Sequence, residues 1–248
     1  MAPYKKYDMR NITFANDEYF HIFNRGVDKQ DIFLDDEDFW KFFDGLRDLN
    51  NTTYYEDRMN ALGLYPRQCK ALGALQFKEL RSFLAEREKV VEIISYSLNP
   101  NHFHLILKQL VDKGVSYLMH KLGWSYTNHF NKKYNHSGHV FQGPFKAVHI
   151  DSNNYLLWLA GYVNGNIEIH NLARADSYNW SSYCALCKAL GALQSSSSAS
   201  LSPLSVLGGL DVVLPQFKTV EDFKDMVKTV IQESRTKKEM REYLLERI

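Results

Sequence analysis

The run from residue 91 to 108, Val-Glu-Ile-Ile-Ser-Tyr-Ser-Leu-Asn-Pro-Asn-His-Phe-His-Leu-Ile-Leu-Lys, constrains the fold more than any other part of the chain. Two stretches rich in β-branched and aromatic residues, 90–98 and 102–109, flank Asn99-Pro100-Asn101. That tripeptide is a turn signal, so the two stretches are predicted to form an antiparallel hairpin. Within the second strand, His102 and His104 bracket Phe103. Side chains two apart on a strand share a face, about 7 Å apart along the chain. Both imidazoles can therefore reach one divalent metal while Phe103 enters the core. Two histidines in a strand are more often structural than ligating, so the pair needs a third ligand and a nucleophile from elsewhere.

The totals bound the remainder. A chain of 248 residues with 45 % hydrophobic residues can bury a core as one large domain or a domain with additions. No run of 18 apolar residues occurs, and the N-terminus has no apolar signal core, so neither a membrane span nor export is expected. Three cysteines make no disulfide framework, and the expected compartment is the reducing cytoplasm. Cys184 and Cys187 have the spacing of a zinc or redox pair. No second pair accompanies them, and they are read as incidental.

Net charge is +1, but its distribution is uneven: residues 114–150 contain no Asp or Glu. That stretch holds Lys121, Lys132, Lys133 and Lys146, five of the nine histidines, and Trp124, Tyr126, Phe130, Tyr134, Phe141 and Phe145. Cations meeting phosphates and rings stacking on bases suit a single nucleic-acid strand. The plainer reading is a helix and strand with core aromatics and solvated lysines. His120, His136 and His139 are expected at the surface.

Along the chain, 19–25 reads as a strand. Residues 35–49 read as a helix with acids at its start and Phe39, Trp40, Phe42, Phe43, Leu46 and Leu49 at helical spacing. Residues 50–75 are irregular and 77–89 read as a helix. A helix over 116–134, a strand over 140–150 broken at Gly143-Pro144, and an apolar helix from 152 to about 169 follow. Residues 184–216, rich in Ser and Gly, read as a linker or insertion, and 217–248 as a C-terminal helical segment. The octapeptide Cys-Lys-Ala-Leu-Gly-Ala-Leu-Gln occurs at 69–76 and again at 187–194, which suggests insertions of common origin.

Tyr162 and Asn166, in Gly-Tyr-Val-Asn-Gly-Asn, are four apart and so share a helical face. Gly165 between them is a poor helix former and could fray the turn. If this helix lies beside the histidine strand, Asn166 completes a three-ligand metal site and Tyr162 stands next to the ion. A metal so held polarises a phosphodiester, and a tyrosine attacking it stores the strand's bond energy as a phosphotyrosine. Two imidazoles and one amide suit Mg2+ or Mn2+ with water and phosphate filling the other positions.

At this point the chain resembles the single-tyrosine HUH transposases, and most of all their REP-associated branch. The matching segments run in the family's order: His-Ile-Phe-Asn-Arg-Gly at 21–26, Ile-Phe at 32–33, Asn-Pro-Asn-His-Phe-His-Leu-Ile-Leu at 99–107, Gly-His-Val-Phe-Gln-Gly-Pro-Phe-Lys-Ala at 138–147, the helix around Tyr162, and Trp-Ser-Ser-Tyr at 180–183. The resemblance implies that Tyr162 is the nucleophile, that His102 and His104 are metal ligands, and that Asn166 is the polar group that helps them. It departs from the family where Asn166-Ile167-Glu168 replaces the usual Asn-Pro and basic residue, and where Pro144 replaces a basic residue. These departures bear on DNA choice.

The expected fold is α+β: a ferredoxin-like antiparallel sheet of about four strands with helices mainly on one face, plus a C-terminal helical tail. The expected organisation is a catalytic domain over 1–183 with an irregular insertion at about 51–76, then 184–216 and 217–248. The expected function is metal-dependent cleavage and rejoining of single-stranded DNA through a 5′-phosphotyrosine, on hairpin-containing repeat DNA. Arg25, Lys121, Lys132, Lys133, Gln142 and Lys146 are candidate DNA contacts. The resemblance also implies a homodimer in many members, and there is no Gly-x-x-x-x-Gly-Lys loop for a nucleotide cofactor. The alternatives are a domesticated hairpin-DNA-binding protein without cleavage, a replication-initiator-like HUH nickase, and a zinc hydrolase. The last would need a carboxylate beside the histidines, where the hairpin offers only Glu92.

Overall fold

The computed structural model describes residues 12–51, 89–195 and 210–236. Four strands form one antiparallel sheet: β1 (Tyr19–Arg25), β2 (Val91–Asn99), β3 (His102–Gln109) and β4 (Lys146–Ile150). Their order across the sheet is β2-β3-β1-β4. Helix α1 (Asp36–Asp48) lies between β1 and β2 in the chain, and α2 (Gly114–Lys133) between β3 and β4. This βαββαβ succession with that strand order is the ferredoxin-like arrangement expected from the sequence.

The hairpin forms because Pro100 and Asn101 make a two-residue turn, pairing Asn99 with His102 and Leu98 with Phe103. A bulge at Ile94 interrupts the pairing between Ile93 and Ser95. The extra residue shifts the alternation. Val91, Ile93, Tyr96 and Leu98 therefore join Phe103, Leu105 and Leu107 in one core. Ser95, Ser97 and Asn99 are left on the other face with His102, His104 and Ile106. Helix α1 is capped by the Asp35 side chain, which accepts from the Asp38 backbone N–H at 3.1 Å, and it opens with three acids. Its Phe39, Phe42, Phe43 and Leu46 pack with Leu118, Leu122, Tyr126 and Phe130 of α2 against the first face.

The helices, expected mainly on one face, cover both. Helix α3 (Asn153–Ile169), α4 (Tyr183–Ser195) and α5 (Val220–Thr236) build a second core with Ile94, Ile106 and Ile150. The physical reason lies in α3, which is apolar nearly all round and must be buried on two sides. The sheet covers one side, and α5 covers the other. A Cβ on Gly161 would come within 2.6 Å of Met226 Sδ, and one on Gly165 within 2.6 Å of Ile231 Cγ1. Gly165 therefore does not fray the helix; it lets α5 approach. The described part of the C-terminal helical segment packs on the fold, since Phe223, Val227, Val230 and Ile231 are core residues.

Part of 184–216, expected as a linker, is helix α4, with Ala185, Leu186, Ala189 and Leu190 buried. The second octapeptide copy lies within it. The first copy, the irregular stretch to residue 75 and nearly all of the helix expected at 77–89 lie outside the described residues. In the strand expected over 140–150, regular pairing begins only at Lys146; Phe141 makes an isolated bridge to Gly26 and Gly143 has φ +76°.

Candidate active site

Three elements converge at the hairpin end of the second face. Strand β3 supplies His102 and His104, β1 supplies His21 and Arg25, and α3 supplies Tyr162 and Asn166. The register of β1 and β3 sets Arg25 opposite His102 and Phe23 opposite His104. Directly opposed residues of an antiparallel pair share a face, so Arg25 lies beside His102.

Helix α3 is held to β2 by a buried polar chain. Asn164 Nδ2 donates to Ser95 Oγ at 2.9 Å, and Ser182 Oγ donates to Asn164 Oδ1 at 2.7 Å. This fixes the rotation of α3, and Tyr162 and Asn166 face the histidines on either side of that anchor. Asn166 Oδ1 stands 2.9 Å from His102 Nε2 and accepts from Asn99 Nδ2 at 2.6 Å. Asn99 Nδ2 is also 2.9 Å from His102 Nε2. The Tyr162 ring meets the His104 ring edge-to-face at 5.5 Å and stacks on Trp158 at 5.6 Å. Tyr162 is 5 % exposed. The His102 and His104 rings lie 5.3 Å apart, and His170, one turn beyond Asn166, puts its ring 4.9 Å from His102.

The protonation pattern follows from these partners. His102 Nδ1 lies 2.6 Å from Asn101 Oδ1, an amide oxygen that can only accept, so Nδ1 carries the ring proton and Nε2 keeps a lone pair. His104 Nδ1 is hydrogen-bonded to His21 Nε2 at 2.8 Å, while His104 Nε2 is buried with no protein partner. Burial lowers the pKa of His21 and of His102 to about 3. Nearby His170 contributes to the lowering at His102, and burial with its histidine neighbours holds His104 well below the usual imidazole value. All three rings are thus neutral near pH 7, which is the form that binds metals.

The donor set fits a divalent cation. His102 Nε2 and Asn166 Oδ1 are two acceptors turned toward each other, and His104 Nε2 is an orphaned buried nitrogen close by. An unpartnered buried polar atom costs about 1–3 kcal/mol, so its placement calls for a ligand. Among the described residues no three His, Cys, Asp or Glu converge as a metal site. A cation here would depend on the amide oxygen of Asn166, and among the described residues no carboxylate completes the site that a zinc hydrolase requires.

The candidate DNA residues separate into two groups. Arg25 and Lys146 are near the histidines: the Arg25 charge depresses both His102 and Lys146, each of which is first lowered by burial. Gln142 is beside them, its backbone N–H donating to Arg25 O at 2.8 Å. Lys121, Lys132 and Lys133 lie instead on α2, across the sheet. Lys133 is engaged by Asp35, Glu37 and Asp38 of α1 at 2.6–3.1 Å. One lysine of the acid-free stretch thus meets acids in space. Other histidines there are tied up as well: His129 bonds Asp38 and His136 bonds Asn131. Cys184 and Cys187 are free thiols on α4.

Asn99, His21 and His170 were not singled out from the sequence. Asn99 was legible in principle, because a two-residue turn at 100–101 places it opposite His102. His21 depends on the strand order and His170 on the length of α3, neither of which a local pattern gives.

Comparison with known proteins bears on the class of protein first. Residues 73–166 match the family model described as "Transposase IS200 like". That segment contains His102, His104, Tyr162 and Asn166, so the resemblance to a transposase family is borne out there, while the matching segments at 21–26, 32–33 and 180–183 lie outside it. No curated protein matches the chain significantly. Among solved structures, the chain is similar to "Structure of the REP associates tyrosine transposase bound to a REP hairpin", with a TM-score of 0.47 and 12 % identity. The likeness covers 82 % of this chain and 90 % of that one. No helix among the described residues is long and apolar enough to cross a membrane.

Proposed function

We propose that the chain is a metal-dependent HUH transposase that cuts and rejoins single-stranded DNA through Tyr162. The observation that carries this reading is the meeting of His102 Nε2 and Asn166 Oδ1 at 2.9 Å, with the Tyr162 ring against His104. His102 and His104, through their Nε2 atoms, and Asn166, through Oδ1, are the residues that would hold Mg2+ or Mn2+. Such an ion polarises the phosphoryl oxygens and stabilises the charge gathered in the transition state.

The chain's own groups account for the rest. The Tyr162 phenolic oxygen forms a bond to phosphorus as the phosphorus–O3′ bond breaks, giving a 5′-phosphotyrosine and a free 3′-hydroxyl. The phenol proton leaves to solvent and the departing O3′ takes one up. Attack by a second 3′-hydroxyl reverses the step and joins strands, with no nucleotide cofactor, because the ester retains the bond energy. Asn101 orients the His102 ring and His21 orients His104, as hydrogen-bonded neighbours do for metal-binding imidazoles. Arg25, Gln142 and Lys146 line the edge of the site and contact the DNA. Lys121 and Lys132 would have to act from the other face. Hairpin-bearing DNA and a homodimer are what the resemblance to the REP-associated branch implies. The catalytic unit extends past residue 183, because α5 packs directly behind the tyrosine helix.

The test is to incubate the protein with hairpin-bearing single-stranded DNA and Mn2+ and run denaturing gels. A protein–DNA adduct that requires Mn2+ and is lost in His104→Ala is expected. Retarded complexes in native gels with no adduct in denaturing gels, across a broad hairpin library, would favour the binding-only alternative.

A further inference from the structure

Asn99 occupies a place that the proposed function leaves unexplained. Its amide nitrogen lies 2.9 Å from His102 Nε2 and 2.6 Å from Asn166 Oδ1, the two atoms assigned above to a cation. Because His102 Nδ1 carries the ring proton, both atoms are acceptors, and the Asn99 NH2 group bridges them. Its hydrogens carry partial positive charge. A divalent ion held by the same two acceptors would face them at contact distance and repel them.

The side chain has no room to swing clear, for Asn99 is fully buried. Turning the amide over about its last bond keeps its volume and exchanges nitrogen for oxygen. Its other end faces Ser97, whose Oγ donates to Asn99 Oδ1 at 3.4 Å. A hydroxyl both donates and accepts, so Ser97 can receive the turned Nδ2 as readily as it now serves Oδ1. The turn thus exchanges one satisfied contact for another while presenting an oxygen to the histidines.

We propose that Asn99 is a further ligand of the metal ion, through Oδ1, beside His102, His104 and Asn166. The inference rests on the metal-site reading given above. The hairpin supplies the rigidity: Asn99 and His102 are a register pair across the two-residue turn, so the oxygen and the imidazole are held together by backbone pairing. Two imidazoles and two amide oxygens also suit Mg2+ and Mn2+ better than two imidazoles and one, because these ions favour oxygen ligands. A mere placeholder role has the opposite consequence: removing a competing N–H donor would tighten metal binding.

The sign of the effect therefore decides. Mn2+ binding to the full chain, without DNA, is measured from the loss of the free-ion electron paramagnetic resonance signal. Asn99→Leu, close in volume and without donor or acceptor, is expected to weaken Mn2+ binding about tenfold or more. Asn99→Asp, which fixes an oxygen toward the ion, is expected to bind Mn2+ at least as tightly as the native chain. Equal or tighter binding by Asn99→Leu overturns the proposal. If that variant does not fold, weaker binding by a folded Asn99→Asp overturns it instead. His104→Ala is measured alongside: if it binds Mn2+ like the native chain, the metal-site reading fails as a whole, whereas loss there with no loss in Asn99→Leu removes only Asn99.

Discussion

The two faces of strand β3 are made of alternate residues of one octapeptide, and they are built on opposite terms. Phe103, Leu105 and Leu107 enter an apolar core under α1 and α2. The polar groups at that core's margin are well partnered: buried Asp38 accepts from the Leu34 N–H, Tyr134 and Lys133. On the other face, His102 and His104 sit with Asn99, Asn166 and His21, all buried. There His104 Nε2, Asn166 Nδ2 and His21 Nδ1 have no protein partner. The first face has such an atom too, the buried Tyr96 hydroxyl, but three gather around the histidines on the second; burial without a partner costs stability, so that cluster is arranged for a ligand. The acid-free stretch is divided between the two faces: Gln142 and Lys146 are near the histidines, whereas Lys121, Lys132 and Lys133 are on α2. Helix α2 packs on the first face, where its Lys133 meets Asp35, Glu37 and Asp38.

Breaking each face should therefore have different consequences. The largest effect on stability is expected for Phe103→Ala, which leaves a cavity between Phe42 and Phe141 and should cost about 3–5 kcal/mol in chemical denaturation. His104→Ala, one residue on, should leave the denaturation midpoint close to native while abolishing Mn2+-dependent adduct formation. Equal destabilisation by both substitutions would dissolve the contrast.

A smaller loss is expected for Gly165→Ala. Its Cβ must displace Ile231, at about 1–3 kcal/mol, and the shift of α3 should lower adduct yield together with stability. Acid should then separate the faces further. The buried histidines have folded pKa values far below the ordinary value of 6.5. Below pH 6.5 the unfolded chain takes up protons that the folded chain does not. The stability these neutral rings permit is present above that pH and falls as pH drops toward 3, by at most about 1.4 kcal/mol per pH unit for each histidine. Thermal melts from pH 7 to pH 4 should show this slope, and it should flatten in His21→Phe.

The smallest effects concern DNA. Lys146→Ala should weaken binding of a single-stranded hairpin at all sequences and reduce the salt slope by about one phosphate contact. Lys133→Ala should leave that slope unchanged and lower stability slightly, since it breaks ion pairs to α1. The reverse pattern would put the DNA on the α2 face.

Much of this was legible in the chain because local signals agreed. The Asn-Pro-Asn turn between two β-rich runs marked the hairpin, and helical spacing picked out Phe39, Phe42, Phe43 and Leu46 on the buried side of α1, though Trp40, read with them, is exposed. Tyr162 and Asn166 could be paired at helical spacing before any contact was known. What was not legible depended on contacts between distant segments. The far side of the tyrosine helix is covered by α5, more than fifty residues further along the chain, and Gly165, which helps admit it, reads locally as a poor helix former. The bulge at Ile94 changes which face Ser95 and Ser97 occupy, and no run of residue types announces it. The partner of His104 is His21 because β1 lies between β3 and β4, a fact of topology rather than of spacing.

The central claim is that Tyr162 becomes covalently joined to DNA at a site organised by His102, His104 and Asn166. Peptide mass spectrometry of the protein after reaction with hairpin-bearing single-stranded DNA and Mn2+, followed by nuclease trimming, tests it most directly. A nucleotide linked to the peptide bearing Tyr162, absent from Tyr162→Phe, is the predicted result. A nucleotide on a different tyrosine, such as Tyr155, or an adduct that persists in Tyr162→Phe, would contradict it.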